Sequence, residues 1–543
     1  MKYIKLSAYE GASMSRETFY ITTPIYYPSD DLHIGHAYCS VAADTMAKYK
    51  RLRGYDVFFL TGTDEHGQKI EEVARDRGLE PQEFVDQMLV KIKNLWSLMH
   101  VDYDGFIRTT DSRHVKAVQD IFAKLYKKGD IYEGVYEGWY CTPCESFWTE
   151  SQLVEGMCPD CGRPVEKTRE KSYFFRLSKY ADRLKELFSE QADFVEPVSR
   201  AHEMINNFLE AGLEDLAVSR SSFSWGVPLP FDKDSIAYVW VDALCNYISA
   251  LGYPDDTELF DRYWPADVHF VGKEIMRFHS LIWPAILMAL ELPLPKKVFG
   301  HGWLLFEGGK MSKSKGNVVD PAILVERYGL DALRYFLLRE FPFGSDGNYS
   351  TEALIKRSNS DLSNDLGNLL SRVVAMTTQS FPQGLPAEKD FAGIDADLTA
   401  LADETVIQLE QHFEKMEFSL VLEAIWRLIS QSNKYIDMTT PWILAKEENS
   451  RARLAAVLYT LLDVLRRVAV WLSPFMVSTP AKMREQLGIS AAGAETEAEL
   501  SSWESAAQSG LYRDDFIVHK GQAIFPRIDL EAELKAIEKL DKK

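Results

Sequence analysis

The sequence predicts an α/β fold: a Rossmann-like, doubly wound parallel sheet, interrupted by a cysteine-knuckle insertion and followed by an all-α helical bundle. Three observations predict it. Strand-like runs alternate with helical periodicity over the first three hundred or so positions, the pattern of a parallel sheet with crossover helices. Two Cys-x-x-Cys pairs interrupt that alternation at Cys141, Cys144, Cys158 and Cys161. From Tyr328 onward the apolar spacing is helical.

At 543 residues and 46% hydrophobic content, several domains with ample cores are expected. A formal charge of −20 argues against a general nucleic-acid binder and leaves room for local basic patches that bind RNA. The N-terminus has no basic-plus-apolar signal pattern, and residues 1–16 read as a flexible leader. The longest apolar stretch, residues 281–294, is broken by Pro284, Glu291 and Pro293. No membrane span and a cytoplasmic location are therefore expected.

The first unit is strand, loop, helix. Residues 18–23 are β-branched and aromatic, Pro24 stops them, and Pro28-Ser-Asp-Asp31 is a polar turn suited to a helix start. Helical spacing begins at Ile34. His33 and His36 are three apart, so both can project from the first turn toward one anionic ligand at the helix N-terminus. Gly35 between them would let that ligand approach the backbone. Residues 57–63 form a second strand leading into Asp64-Glu-His66-Gly67, and Val268-His-Phe-Val-Gly272 a third that feeds a helix. Residues 298–306 read as one further strand, followed by the turn Glu307-Gly308-Gly309 and by Lys310, Lys313 and Lys315. Ammonium groups on a glycine-hinged loop suit a polyphosphate whose charge grows in the transition state. Taken alone, each word has a bland reading: one capping and one packed histidine, and a solvated lysine-rich turn.

The two cysteine pairs, with Pro inside or Gly after them, read as a zinc knuckle, because a tetrahedral thiolate cage needs two tight turns facing each other. Four thiolates leave no open position, so the metal would be structural. Disulfides are the alternative, without a secretory signal to support them. Cys39 and Cys245 lie in apolar helical patterns and read as core.

His33-Ile34-Gly35-His36 and Lys310-Met311-Ser312-Lys313-Ser314 resemble the HIGH and KMSKS signatures of class I aminoacyl-tRNA synthetases. Within that class, the chain from about Thr18 to near residue 510 is similar to the methionyl-tRNA synthetase family. The resemblance implies catalytic roles for His33, His36, Lys310 and Lys313. It implies a methionine pocket of Ile25, Tyr27, Asp64, Trp240, Ala243, Leu244, Tyr247, Phe278, His279 and Trp283, with Asp64 taking the α-amino group. Leu244 stands where some relatives have proline. Gly272, Glu274, His301, Gly302 and Leu304 fall on ATP contacts, together with His33, His36, Lys310 and Lys313. Asn368, Arg372 and Trp442 fall on anticodon contacts. The physics is compatible: aromatic walls suit a polarizable thioether, and unstacked loop bases are read by stacking and by Asn and Arg. Implied substrates and partners are L-methionine, ATP with Mg2+, and tRNA(Met) including the initiator, with one structural Zn2+.

The expected organisation is a catalytic first half (17–119), a connective insertion (120–230), a catalytic second half with the lysine loop (231–325), a stem-contact junction (326–360), an anticodon-binding bundle (361–510) and a tail (511–543). Residues 488–510 read as a loosely packed connection. The additional C-terminal tRNA-binding and dimerisation domain of some relatives does not follow, so a monomer is expected. Three alternatives remain. Another class I synthetase is disfavoured, because the interval 120–230 has little room for an editing domain and residues 22–27 lack a cysteine. A free-standing adenylyltransferase is disfavoured by the helical half with Trp442. A non-enzymatic tRNA-binding protein has no need of His33, His36, Lys310 and Lys313.

Overall fold

The computed structural model describes residues 16–306, 309–310 and 320–540. The expected leader, apart from Arg16, lies outside the described residues, as does Lys313. The β-branched opening run forms β1 (Thr18–Thr22), which is buried along almost its whole length, as a central parallel strand must be. It is flanked by β2 (Asp56–Thr63), β3 (Gly105–Arg108), β4 (Val195–Glu196), β5 (Val268–Gly272) and β6 (Val298–His301). These six strands form one sheet in the order β3-β2-β1-β5-β6-β4, with every pair parallel. The chain leaves β1 in one direction, to β2 and β3, and leaves β5 in the other, to β6, while β4, earlier in the chain, takes the far edge. The crevice beyond the carboxyl ends of β1 and β5 is therefore the topological switch point, where doubly wound sheets bind ligands. Helix α1 (Ile34–Leu52) leaves from the end of β1 and points its N-terminus at that crevice.

One expected strand divides. Residues 298–306 read as a single run, but β6 ends at His301, and Leu304–Phe306 joins a separate small sheet with Gly309–Lys310 and Gly347–Tyr349. Gly302 makes the break: its N–H donates to the Phe343 carbonyl at 3.0 Å, and a Cβ there would meet the Ser345 carbonyl. The insertion is an antiparallel sheet dominated by the pair Ile131–Cys141 and Glu166–Phe175, with the knuckle at its tip.

Beyond residue 320 most of the described chain is helical. Gly393–Glu414, Phe418–Thr439 and Arg451–Trp471 are the long helices of the distal bundle. The bundle packs on the far end of α1. Tyr49 stacks on Phe413 at 3.8 Å and Arg53 pairs with Glu410 at 2.7 Å; nearer the middle of α1, the fully buried Asp44 pairs at 2.6 Å with Arg334 of the helix Leu330–Glu340. The segment 488–510 is not the loosely packed connection expected from its Ala, Glu and Ser content. Leu500, Trp503 and Ala506 are buried, and the Trp503 indole donates to Glu410 at 2.8 Å. Three apolar residues are enough to dock a stretch whose composition reads as linker. The C-terminal helix Leu530–Leu540 folds back on the body, as expected: Glu533 pairs with Arg327 at 2.5 Å and accepts from the Tyr328 hydroxyl at 3.0 Å. Among the described residues no helix is long and apolar enough to cross a membrane.

Candidate active site

His33 and His36 close the N-terminus of α1 on each other. His33 is the N-cap, and its Nδ1 accepts the Gly35 N–H at 3.1 Å. The Nδ1 of His36 accepts the His33 N–H at 3.0 Å. This is the reciprocal logic of a capping box, run with two imidazoles in place of Ser/Thr and Glu. An Nδ1 that accepts an amide hydrogen carries no proton of its own, so both rings are neutral with the proton on Nε2. Their centroids lie 4.0 Å apart. The result is a pair of ring N–H donors at the positive end of a long helix dipole, an arrangement matched to phosphate oxygens. Gly35 is required by the cap itself, because a Cβ there would lie 2.9 Å from the His33 ring.

Tyr26 ties this donor pair to a buried carboxyl across the crevice. Its ring meets His36 edge-on at 5.6 Å, and its carbonyl accepts the Asp64 N–H at 3.0 Å. Asp64 is 9% exposed, and its Oδ1 is buried without a hydrogen-bond partner among the described residues. Burial pushes its carboxyl well above the usual range, and the carboxylates of Asp242, Glu145 and Glu65 push it further. A cation brought beside this carboxyl would offset its burial and the neighbouring carboxylates and favour its charged form.

Next to it stands an aromatic wall. Trp240 stacks on Phe278 at 3.9 Å and 9°. Phe278–Ile282 form a single π-helical turn ahead of the helix Trp283–Leu290, an irregularity frequent at functional sites. His279 is buried there. The Ile275 carbonyl, 3.0 Å from its Nδ1, can only accept, so Nε2 takes the Tyr247 hydroxyl at 2.8 Å. Burial carries the His279 pKa down to about 4, so the ring is neutral. Tyr247 packs against Trp283 at 6.1 Å. Ala243 and Leu244 are buried on the short helix Val239–Leu244, and Ile25 and Tyr27 are half-buried at the end of β1. Asp242, on that same helix, accepts from His66 at 2.7 Å and His114 at 2.8 Å. Burial would raise its carboxyl, but the two histidines outweigh it and bring it down to about 2.

The third group of residues sits at the ends of β5 and β6. Glu274 accepts the Trp303 indole N–H at 2.6 Å. A Cβ on Gly272 would come within 2.5 Å of the Glu274 carboxylate. Buried His301 is held by the Gly302 carbonyl at 2.8 Å and stacks on Phe343 at 5.4 Å, and Leu304 is buried beside it. Lys310 pairs through its backbone with Leu305, which brings the start of the lysine loop next to the strand that carries Leu304.

In the insertion, the sulfurs of Cys141, Cys144, Cys158 and Cys161 all lie within 4.8 Å of one another, with Cys141 and Cys161 3.6 Å apart and none of the four in a disulfide. A Zn–S bond of about 2.3 Å in tetrahedral geometry needs sulfurs roughly 3.8 Å apart. The donor set and its spacing fit structural zinc.

Asn368, Arg372 and Trp442 lie elsewhere, in the helical half. Asn368 is exposed. Arg372 pairs with Asp437 at 2.9 Å and has its guanidinium 6.0 Å from the Trp442 ring. Trp442 is 44% exposed, beside Met438 at 70% and Ile443 at 48%. Trp442 is therefore no core residue, and this face presents aromatic, apolar and cationic groups together.

The model of class I tRNA synthetases of the M type matches residues 19–167 and 162–374. An anticodon-binding domain of tRNA ligases matches residues 395–525. The methionine–tRNA ligase of Caldanaerobacter subterraneus subsp. tengcongensis is 61% identical over 525 residues, covering 96% of this chain and 81% of that protein. The chain belongs to the methionyl-tRNA synthetase family. A relative from Bacillus subtilis, also a methionine–tRNA ligase, is 54% identical over 533 residues, 96% of this chain and 79% of its own length. The methionyl-tRNA synthetase of Mycobacterium tuberculosis, solved in complex with methionyl-adenylate, superposes with a TM-score of 0.89 at 42% identity, over 94% of this chain and 100% of that one. Sequence reasoning passed over three buried groups at the crevice: Glu145, Asp242 and His114. Glu145 directly follows Cys144 of the four-cysteine cluster, and that adjacency was the one signal that could have found it.

Proposed function

We propose that the crevice joins L-methionine to ATP as methionyl-adenylate, releasing pyrophosphate, and then passes the methionyl group to the 3′ end of tRNA(Met), for initiation and elongation alike. The observation that carries this reading is the pairing, through Tyr26, of two neutral Nε2–H donors with a buried carboxyl whose Oδ1 has no hydrogen-bond partner among the described residues. Asp64 takes the substrate ammonium. Trp240, Phe278, Tyr247, His279 and Trp283, with Ile25, Tyr27, Ala243 and Leu244, enclose the thioether. The methionine carboxylate attacks the α-phosphorus, and the bond to pyrophosphate breaks. His33 and His36 donate to phosphate oxygens, while Lys310 and Lys313 neutralise charge that grows as the bond breaks. Gly272, Glu274, His301, Gly302 and Leu304 hold the nucleoside, and Mg2+ accompanies ATP. A terminal ribose hydroxyl of the tRNA then attacks the carbonyl, and AMP leaves.

The domain boundaries given above assign these steps to residues 17–119 and 231–325, with anticodon reading by Asn368, Arg372 and Trp442 in residues 361–510. Zinc held by the four cysteines shapes the insertion. The chain acts as a cytoplasmic monomer.

Methionine-dependent ATP–pyrophosphate exchange tests the reading, and exchange with leucine or cysteine but not methionine would refute it. The pocket alone should discriminate against homocysteine, one methyl smaller, by about 1–3 kcal/mol, so its thiolactone should be detectable. Lys313→Ala should slow adenylate formation far more than it raises the KM for ATP.

A further inference from the structure

One side chain connects the knuckle to the amino-acid pocket. Glu145 directly follows Cys144 and turns back with φ 50°, in the left-handed region. Its side chain is buried. Its Oε1 accepts the Tyr27 hydroxyl at 3.1 Å and the Lys69 backbone N–H at 2.9 Å, and its Oε2 accepts the Tyr140 hydroxyl. Its own carbonyl accepts the Tyr238 hydroxyl at 2.5 Å, and the Cys144 carbonyl accepts the Trp240 indole N–H at 3.3 Å. Two residues of the knuckle thus hold three separate walls: the end of β1 through Tyr27, the loop after Asp64 through Lys69, and the Trp240 segment. Gly67 leaves the room this needs, since a Cβ there would lie 2.6 Å from the Tyr27 hydroxyl and 2.8 Å from the Glu145 carboxylate.

We propose that Glu145 is a positioning residue for methionine. Carried on the metal knuckle, it fixes the direction of the Tyr27 side chain and the Asp64 loop, so the knuckle sets the shape of the amino-acid site. Glu145 acts through Tyr27, and the proposal rests on the reading of Tyr27 as a pocket wall. A carboxylate that accepts three hydrogen bonds at once in a buried place holds its donors more firmly than a neutral acceptor does.

The test is a double-mutant cycle in the full chain, read by pyrophosphate exchange, with metal content and melting temperature measured on every variant. Glu145→Ala should raise the KM for methionine roughly tenfold, with kcat and the KM for ATP within about twofold. Glu145→Gln, which keeps an oxygen facing Tyr27 and Lys69 but loses the charge, should recover only part of that loss and leave the KM for methionine raised about threefold. In a Tyr27→Phe background, the Glu145 substitutions should add less than about twofold. If Glu145→Ala loses metal, the Glu145→Gln cycle decides the matter, because it leaves the cysteines and the acceptor oxygen in place. A normal KM for methionine in both Glu145 variants, with a raised one in Tyr27→Phe, overturns the role of Glu145. So does full multiplication of the two effects in the double variant. A normal KM in Tyr27→Phe overturns the proposal, because that change removes only the hydroxyl that Glu145 holds; a normal KM in Tyr27→Ala refutes the pocket reading of Tyr27, and the proposal falls with it.

Discussion

Asp64 and His279 are two buried titratable groups with opposite requirements. Asp64 is a buried carboxyl beside three others, and burial together with those neighbours holds it well above the usual carboxylate range, so a nearby cation would favour its charged form. Asp64→Asn keeps the shape and removes the charge. Losing one charge-assisted contact of about 1.5–3 kcal/mol should raise the KM for methionine roughly tenfold to a hundredfold, while the KM for ATP stays within about twofold; pyrophosphate exchange with each substrate varied in turn reads both. His279 must stay neutral, with its pKa near 4 through burial, and His269 is likewise held well below the usual range by burial and then by His279. A histidine whose folded pKa lies below its unfolded value of about 6.5 favours unfolding once the solution is acidic. Its contribution is intact above that unfolded value. It is lost as pH falls from there toward about 4 for His279, at roughly 1.4 kcal/mol per pH unit for each such group. Denaturant unfolding at a series of pH values should therefore show a shallower acid slope in His279→Gln than in the parent chain. Equal slopes would mean that His279 does not titrate in this window.

At the scale of elements, function attaches to the ends and edges of regular structure. The exposed face of Trp442 predicts a clean separation of the two half-reactions. Trp442→Ala should leave pyrophosphate exchange and the melting temperature unchanged, because the side chain is 44% exposed and contributes little to packing. Aminoacylation should fall roughly tenfold to a hundredfold through the loss of one base stack of about 1–3 kcal/mol. A parallel loss of exchange would show that Trp442 supports the fold instead. The knuckle is the other separable element. Cys158→Ala should lower metal content from about one equivalent and reduce stability, since ligands and fold are coupled. Full metal content in that variant would place the ion elsewhere.

At the scale of the molecule, α1 spans the distance between the two halves. Its N-terminus carries His33 and His36, and its last turns dock on the distal bundle through Tyr49, Lys50 and Arg53. Phe413→Ala would remove the ring stacked on Tyr49, at a cost of about 3–5 kcal/mol for a buried aromatic. The expected result is a lower melting temperature together with slower adenylate formation, although Phe413 lies far along the chain from either signature. Calorimetry and single-turnover activation measure the two effects. An unchanged activation rate at a temperature where the variant is folded would show that the bundle does not steady α1.

Local chemistry determined much of this protein by itself. A β-branched run followed by proline, a polar turn and helical spacing can hardly be anything but a strand–loop–helix unit, and four cysteines in two tight pairs have few other uses than a metal. The paired histidines were legible because their spacing places them on one helical turn. Tertiary structure decided what depends on a partner distant in sequence. The break at Gly302 follows from the approach of Phe343 and Ser345, and the burial of Trp503 follows from a place beside Tyr49 and Glu410. Glu145 shows in the chain only its place after Cys144. Its meaning comes from Tyr27, Lys69 and Tyr238, which only the folded insertion brings to it. Periodicity and spacing report which groups can share a face. Burial and hydrogen bonding between residues far apart in the chain are set only when the whole chain folds.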